Sequence, residues 1–436
     1  MALPSDPTPP LARLFTEVAP DVVRILDRAL SGEDVSAEDA ERLLGVTGAD
    51  FNATLAAADH LRRHTVGDTV TYVVNRNINF TNVCIKGCGF CAFSRDFREE
   101  EGYFLPEEEV LRRAQEAWDL GATEVCVQAG LAPKMEGDLY IRLTRRIKEL
   151  LPDIHIHGFS PEEVLYGSVR SGWTIRDYLV ALRDAGVGSL PGTAAEILDD
   201  ELRRRIAPGR IRTAQWIEVI RTAHELGIPT TATMMFGHAE TPGHQARHLV
   251  LLRDLQRSSG GFTEFVPLSF VHTEAPMWKR GTVAGLRPGP TGIEVVRVHA
   301  VSRIVLGRAI PNLQVSWVKE GPRVAQLLLG AGANDLGGTL INESISTSAG
   351  AAYGQLVPPR ELRRLIRGVG RVPAERSTTY KIRRLFGASD DEAPDALDLA
   401  ADDAARFGSY RQLIKMDRFR YRHPGRAEPA SQEAAR

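Results

Sequence analysis

The sequence predicts an α/β fold: a (β/α)8 barrel with a helical segment before it and a helical extension after it. Three observations carry this. Short β-rich runs alternate with amphipathic helical stretches, which implies a parallel sheet with helices outside it. Eight such runs fall between residues 69 and 345, close to the usual size of an eightfold barrel. A cysteine cluster follows directly on the first run, at the barrel end where such folds carry their chemistry. A doubly wound open sheet is the alternative that spacing alone leaves open.

Taken in order, residues 1–68 read as a helical cap. "SAEDAERLLG" begins with Ser36 three residues before Asp39, a capping-box pattern, and ends at Gly45. The barrel, residues 69–345, has strands in "TVTYVVNRNINF", "EVCVQAG", "IHIHGF", "GSLPGT", "TTATMMFG", "TEFVPLSF", "LQVSWV" and "NDLGGTL". Helices lie between them in stretches such as "PEEEVLRRAQEAWDLG" and "TIRDYLVALRDAG". Residues 346–388 read as a C-terminal helical extension, with the basic helix "RELRRLIRGVG" and then "RSTTYKIRRLFG". Residues 389–436 form a tail, acidic first and basic afterwards, whose low apolar content predicts mobility.

Composition narrows the function classes. In 436 residues, 54 Lys and Arg nearly balance 56 Asp and Glu, so no global basic field draws nucleic acid or an anionic membrane. No apolar run is long enough to span a bilayer, and "MALPSDPTPP" shows no secretory signal, so a cytoplasmic location is expected. Four cysteines are no disulfide framework, and three of them lie within "NVCIKGCGFCAF". A tight group in an unexported chain reads as metal binding.

Cys84, Cys88 and Cys91 have the spacing Cys-x3-Cys-x2-Cys. Gly87 and Gly89 allow the tight backbone that three converging sulfurs need. An iron–sulfur cubane normally takes four thiolates, so three leave one iron open to a small molecule. A zinc site is the competing reading, but its histidine would have to come from another loop, because none lies between His64 and His155. Cys126, inside the apolar run "EVCVQAG", reads as buried packing. Chance clustering is the third reading.

With Phe90 before the last cysteine, the motif resembles the radical S-adenosylmethionine (SAM) superfamily. The resemblance implies a 4Fe–4S cluster on Cys84, Cys88 and Cys91, with the amino and carboxylate groups of SAM on the open iron. It further implies electron transfer to the sulfonium and release of a 5′-deoxyadenosyl radical. The strings "NRNINFTNVC", "PGTAAEIL", "TATMMFGHAET", "PLSFVHTEAP" and "GANDLGGTLINESIS" are similar to a clade holding deazaflavin-precursor synthases and menaquinone-route futalosine enzymes. "LPGTAAEILDDELRRRIAPGRIRT" and "GRVPAERSTTY" are most similar to the tyrosine-using deazaflavin-precursor enzymes. That likeness implies cleavage of the Cα–Cβ bond of L-tyrosine and transfer of the 4-hydroxybenzyl fragment to C5 of 5-amino-6-(D-ribitylamino)uracil. A second radical SAM enzyme would then close the ring. A donor such as flavodoxin or ferredoxin would supply electrons. The alternatives are an aminodeoxyfutalosine synthase, a futalosine cyclase, or a non-catalytic zinc or electron-transfer protein.

The resemblance also assigns roles at the strand ends. Gln128, Ala129 and Gly130 occupy the place of the glycine-rich segment that receives the methionyl amino group. Phe90, Ser160, Glu196, Arg212 and Met234 complete the expected cofactor set, although Ser160 also reads as a helix cap and Glu196 as a first-turn glutamate. Arg210 shares the carboxylate-binding reading of Arg212, and Met235 the adenine-packing reading of Met234. Polar or amphipathic residues at later strand ends are expected to meet substrate: His157, His238, Glu240, His272, Trp317, Asn334, Asp335 and Glu343. Of these, Asn334, Asp335 and Glu343 are expected near the ribitylaminouracil, and His238, Glu240 and His272 near the tyrosine.

Overall fold

The computed structural model describes residues 16–389, 393–400 and 406–423. Its centre is a closed ring of parallel backbone. Strand β1 (Thr69–Val73) and strand β2 (Asn75–Ile78) together form the first stave. β2 pairs with β3 (Glu124–Val127), and β3 with β4 (His155–His157). Single bridges from His157 to Ser189 and from Leu190 to Thr230 carry the ring onward to β5 (Thr230–Phe236), which pairs with β6 (Phe262–Ser269). Bridges from Phe265 to Leu313 and from Gln314 to Asp335 reach β7 (Asp335–Gly338), which pairs with β1. The Arg76–Ile341 bridge closes the ring above, which excludes the open sheet. The fourth and seventh staves make only single bridges, shorter than "GSLPGT" and "LQVSWV" suggest.

Helices form where apolar periodicity places them. Ile175–Ala185 buries Tyr178, Leu179, Leu182 and Ala185, one stripe of a 3.6-residue repeat. Thr174 caps its start by accepting the Asp177 N–H at 3.1 Å, and Gly186 ends it at φ 103°. Each fully buried leucine contributes about 1.5–3 kcal/mol. The N-terminal helices Pro20–Leu30, Ala37–Leu44 and Gly48–Val66 do not cover the mouth. Ala37–Leu44 packs on Pro242–Ser259, and Gly48–Val66 on Gly292–Leu306, so they buttress the barrel wall.

The C-terminal extension departs from the sequence reading. Helix Pro359–Arg367 forms, but "RSTTYKIRRLFG" is not helical. β8 (Val372–Arg376) and β9 (Ile382–Leu385) make an antiparallel hairpin, and β8 lies in parallel register against β1. Residues 377–381 make the turn between the two strands, with Tyr380 at φ 63°. The first stave is broken because its lower half has β8 as neighbour and its upper half has β3.

The hairpin floors the barrel with charge. Arg376 Nη2 donates to Asp335 Oδ1 at 3.0 Å, and the Tyr380 hydroxyl donates to Glu264. Burial pushes the Glu264 carboxyl up to about 7 from 4.5, against the pull of Arg376 and with the push of Asp335. An acid raised in the folded state contributes stability that is complete below its unfolded pKa and lost as pH rises through the folded one. Glu264→Gln is therefore expected to flatten stability against pH between about 4.5 and 7, read as urea midpoints across that range.

The tail is a second departure. Leu397, Phe407, Tyr410, Leu413 and Phe419 are buried. The Tyr410 ring lies 5.4 Å from Phe93, and the Phe419 carbonyl accepts the Phe104 N–H at 2.8 Å. Apolar residues dispersed among the charges thus strap residues 406–423 against the back of the cysteine loop. The rest of the expected mobile segment, residues 390–392, 401–405 and 424–436, lies outside the described residues. Among the described residues no helix is long and apolar enough to cross a membrane.

Candidate active site

The cysteine loop leaves the top of β2 and is held by its own backbone. The Cys84 N–H donates to Arg95 O at 3.0 Å, and the Arg95 N–H to Asn82 O at 2.8 Å. Buried Asn82 accepts the Tyr103 N–H at 2.9 Å. Gly87 sits at φ 57°, a region costly for a side chain. A Cβ on Gly89 would lie 2.9 Å from Ile206 O and 3.0 Å from Met277 Cβ. The two glycines thus turn the chain on both sides of Cys88.

Cys84, Cys88 and Cys91 are free thiols that line one cavity of about 210 Å³. Burial pushes the Cys88 thiol up to about 12, while Arg210 pulls it the other way and donates to its sulfur at 3.4 Å. Among the described residues no three His, Cys, Asp or Glu side chains are grouped to hold a single metal ion. Cys126 lines a different, lower chamber, with its thiol 3.8 Å from Gln128 Oε1.

Carboxylates and cations ring the same cavity. Arg210 stands 3.2 Å from Glu162 and 3.4 Å from Glu196, and its guanidinium lies over the Phe90 ring at 5.5 Å. Lys86 reaches Glu162 at 2.9 Å. Glu163 accepts the Ala129 N–H at 2.9 Å and the Ser160 N–H at 2.7 Å, and burial pushes it up to about 7. Glu196 is held at φ 42°, and its buried Oε2 has no hydrogen-bond partner. The Gly130 N–H donates to Thr81 O at 2.8 Å, and a Cβ there would lie 2.3 Å from Val83 O. Gln128 donates to Thr193 Oγ1 at 2.6 Å. Ser160 both caps Pro161–Ser171 and lines the cavity.

A second cavity, about 260 Å³, opens above the barrel axis and shares Phe90, Cys91, Gln128, Thr193 and Glu196 with the first. Its walls are largely apolar, with Phe93, Met235, Leu268 and Phe270 among them, and Lys319 and Glu343 bring charge. Burial pulls the Lys319 ammonium down, opposed by Glu343. Glu343 also accepts the Ser346 N–H at 2.7 Å and so starts the short helix Ile345–Ser348.

Several expected residues lie elsewhere. Strand alternation turns Met235 inward and leaves Met234 fully buried away from the cavity. Arg212 is exposed as the cap residue of Thr213–Glu225; Arg210 reaches the site instead. His238 is buried, with Nε2 3.0 Å from Met235 O, and Glu240 binds the Gly237 and His238 N–H groups, Gln245 and Arg287. Both shape the loop after β5 and line neither cavity. His272 stacks edgewise on Trp278 at 4.8 Å, and buried Trp317 donates to Gly338 O at 2.8 Å.

Asn334 and Asp335 stand at the start of β7, at the barrel floor rather than its mouth. Asn334 accepts from Leu313 N and Arg303 Nη2, each at 2.8 Å. Asp335 is consumed by Arg376, Thr71 and the Gly337 N–H. His157 faces the lower chamber, with Nδ1 2.7 Å from Ser189 Oγ, and burial pulls it down to about 4. Sequence reasoning missed Glu162, Glu163, Lys86 and Asn77. "SPEE" carried the signal for the first two, because first-turn side chains of a barrel helix project toward the mouth.

Residues 78–252 match the Radical SAM superfamily, and residues 259–388 the CofH/MqnC C-terminal region. The 5-amino-6-(D-ribitylamino)uracil–L-tyrosine 4-hydroxyphenyl transferase of Methanothermobacter thermautotrophicus is 48% identical over 358 residues, 82% of this chain and 96% of that protein. This chain belongs to that transferase family. The FO synthase of Mycobacterium leprae is 49% identical over 336 residues, 77% of this chain but 39% of that longer protein. Methylornithine synthase PylB shares the fold at TM-score 0.62 and 19% identity, over 80% of this chain and 97% of its own. The FeFe-hydrogenase maturase HydG from Carboxydothermus hydrogenoformans does so at TM-score 0.63 and 15% identity, over 83% and 80%.

Radical SAM membership implies a 4Fe–4S cluster and SAM, and the residues present fit both. Three thiols share a cavity with a buried guanidinium and with a glutamate oxygen that lacks a donor. Beside them the chain approaches Val83 so closely that only glycine fits at 130.

Proposed function

We propose that this chain cleaves the Cα–Cβ bond of L-tyrosine and transfers the 4-hydroxybenzyl fragment to C5 of 5-amino-6-(D-ribitylamino)uracil, in making the deazaflavin precursor. One observation carries the reading beyond family membership. The cysteine cavity opens into a mouth cavity whose aromatic and aliphatic walls suit a phenol and whose Lys319 suits an amino-acid carboxylate.

Cys84, Cys88 and Cys91 would hold the cluster. When bound, the cluster and SAM supply a 5′-deoxyadenosyl radical by reductive cleavage of the sulfonium. Glu163 fixes the Gln128–Gly130 turn through the Ala129 N–H, keeping its backbone ready for the methionyl amino group. Glu196 Oε2, which makes no hydrogen bond and has Arg203 at 3.9 Å, would accept from sugar hydroxyls, and Arg210 neutralises Glu196 and Glu162 while standing over Phe90. The apolar walls exclude water from the reacting atoms.

The match to under half of a longer FO synthase supports a second radical SAM enzyme acting next; a small electron-transfer protein such as flavodoxin or ferredoxin would be the reductant. A cytoplasmic location accords with both. Anaerobic chain given SAM, reductant, tyrosine and ribitylaminouracil should yield 5′-deoxyadenosine and a 4-hydroxybenzyl adduct by mass. Turnover only with futalosine-route substrates would overturn the assignment.

A further inference from the structure

An eightfold barrel normally fills its axis with bulky branched side chains. Here polar residues interleave with Val73, Val266, Leu268 and Leu340 below the mouth, and together they enclose a chamber of about 180 Å³. The chamber shares Asn77, Gln128, Thr193, Thr233, Leu268 and Leu340 with the mouth cavity, so the two form one column along the axis. The upper part is apolar; the lower part carries Glu124, His157, Glu264, Gln314 and Arg376.

The chamber's polar groups are only partly engaged by the protein. Asn77 Oδ1 is buried without a hydrogen-bond partner. The bonds to Glu264 from Gln314 and Tyr380 all go to one oxygen, Oε2, as does the contact with Arg376. The Glu124 bond from Asn75 uses Oε1 alone. His157 commits Nδ1 to Ser189. Buried polar groups of this kind are costly unless something supplies the missing partners. A flexible chain of hydroxyls, each both donor and acceptor, suits them better than a phenol or a planar base.

Resting on the proposed function, we infer that this chamber is the subsite for the polyhydroxylated arm of the ribitylaminouracil. The arm runs down the barrel axis toward Glu264 and Gln314, which leaves the uracil ring at the level of the mouth, facing the tyrosine. The C-terminal hairpin, through Arg376 and Tyr380, closes the floor and sets how long an arm fits.

The test uses anaerobic full-length holoenzyme and two variants of residues that do not line the mouth, His157→Phe and Gln314→Leu. Equilibrium dialysis against ribitylaminouracil, and against an analogue with a methyl group in place of the ribityl arm, gives four comparisons with wild type. Each variant is expected to weaken ribitylaminouracil about tenfold, one hydrogen bond's worth, with little change for the methyl analogue. The KM for the intact substrate should rise more than the KM for tyrosine. Equal weakening of both uracils, or no weakening in either variant, would overturn the subsite. Failure of wild type to release deoxyadenosine with tyrosine would instead sink the function itself, whatever the dialysis shows.

Discussion

Cys88→Ala is expected to abolish deoxyadenosine formation while the chain stays folded. Cys88 is the central sulfur of the three, buried between Gly87 and Gly89 and touched by Arg210. The substitution removes one atom and leaves a small void, a cost of about 1–2 kcal/mol against a barrel of this size. Catalysis should suffer far more. Altering even outer-shell partners of a metal site costs about 10–100-fold, and on the proposed function the substitution removes a cluster ligand itself. Deoxyadenosine measured by chromatography should fall more than about 100-fold with the far-ultraviolet circular dichroism unchanged. Turnover near wild type would remove Cys88 from the site.

Gly130→Ala should have the second largest effect, through backbone rather than ligand. The new Cβ would sit 2.3 Å from Val83 O, and neither partner is a side chain that can swing aside. The Gln128–Gly130 turn, the first residues of the cysteine loop, or both must shift. Overpacking of this kind costs about 1–3 kcal/mol. A displacement near 1 Å at a reacting site costs about 100-fold in rate. Expected readouts are a lowered melting temperature, a weaker SAM-induced spectral change and a similar fall in turnover. A variant matching wild type in SAM affinity would show that the turn does not touch the cofactor.

The barrel was legible because period-two runs, helical stripes and Gly or Pro punctuation agree along residues 69–345. What failed was direction. The composition of "NDLGGTL" puts its polar residues at the mouth, but the strand begins at Asp335, so Asn334 and Asp335 fall at the floor. Of the adjacent methionines, only the register against β6 decides that 235 faces inward. His238 and Glu240 resemble site residues by composition, yet both hold their own loop together after β5. The hairpin and the strap of residues 406–423 escaped because their apolar residues are sparse and the partners that bury them lie far away in the chain. At the cysteine loop, three sulfurs within eight positions are seen together without tertiary information; the spacing leaves zinc open, and the resemblance chooses the cluster.

The most direct test counts iron and acid-labile sulfide in anaerobically prepared full-length chain, then records the electron paramagnetic resonance of the reduced protein with and without SAM. The account predicts about four of each per chain and a signal that shifts when SAM is added. Stoichiometric zinc without sulfide, or a cluster whose signal ignores SAM, would contradict it.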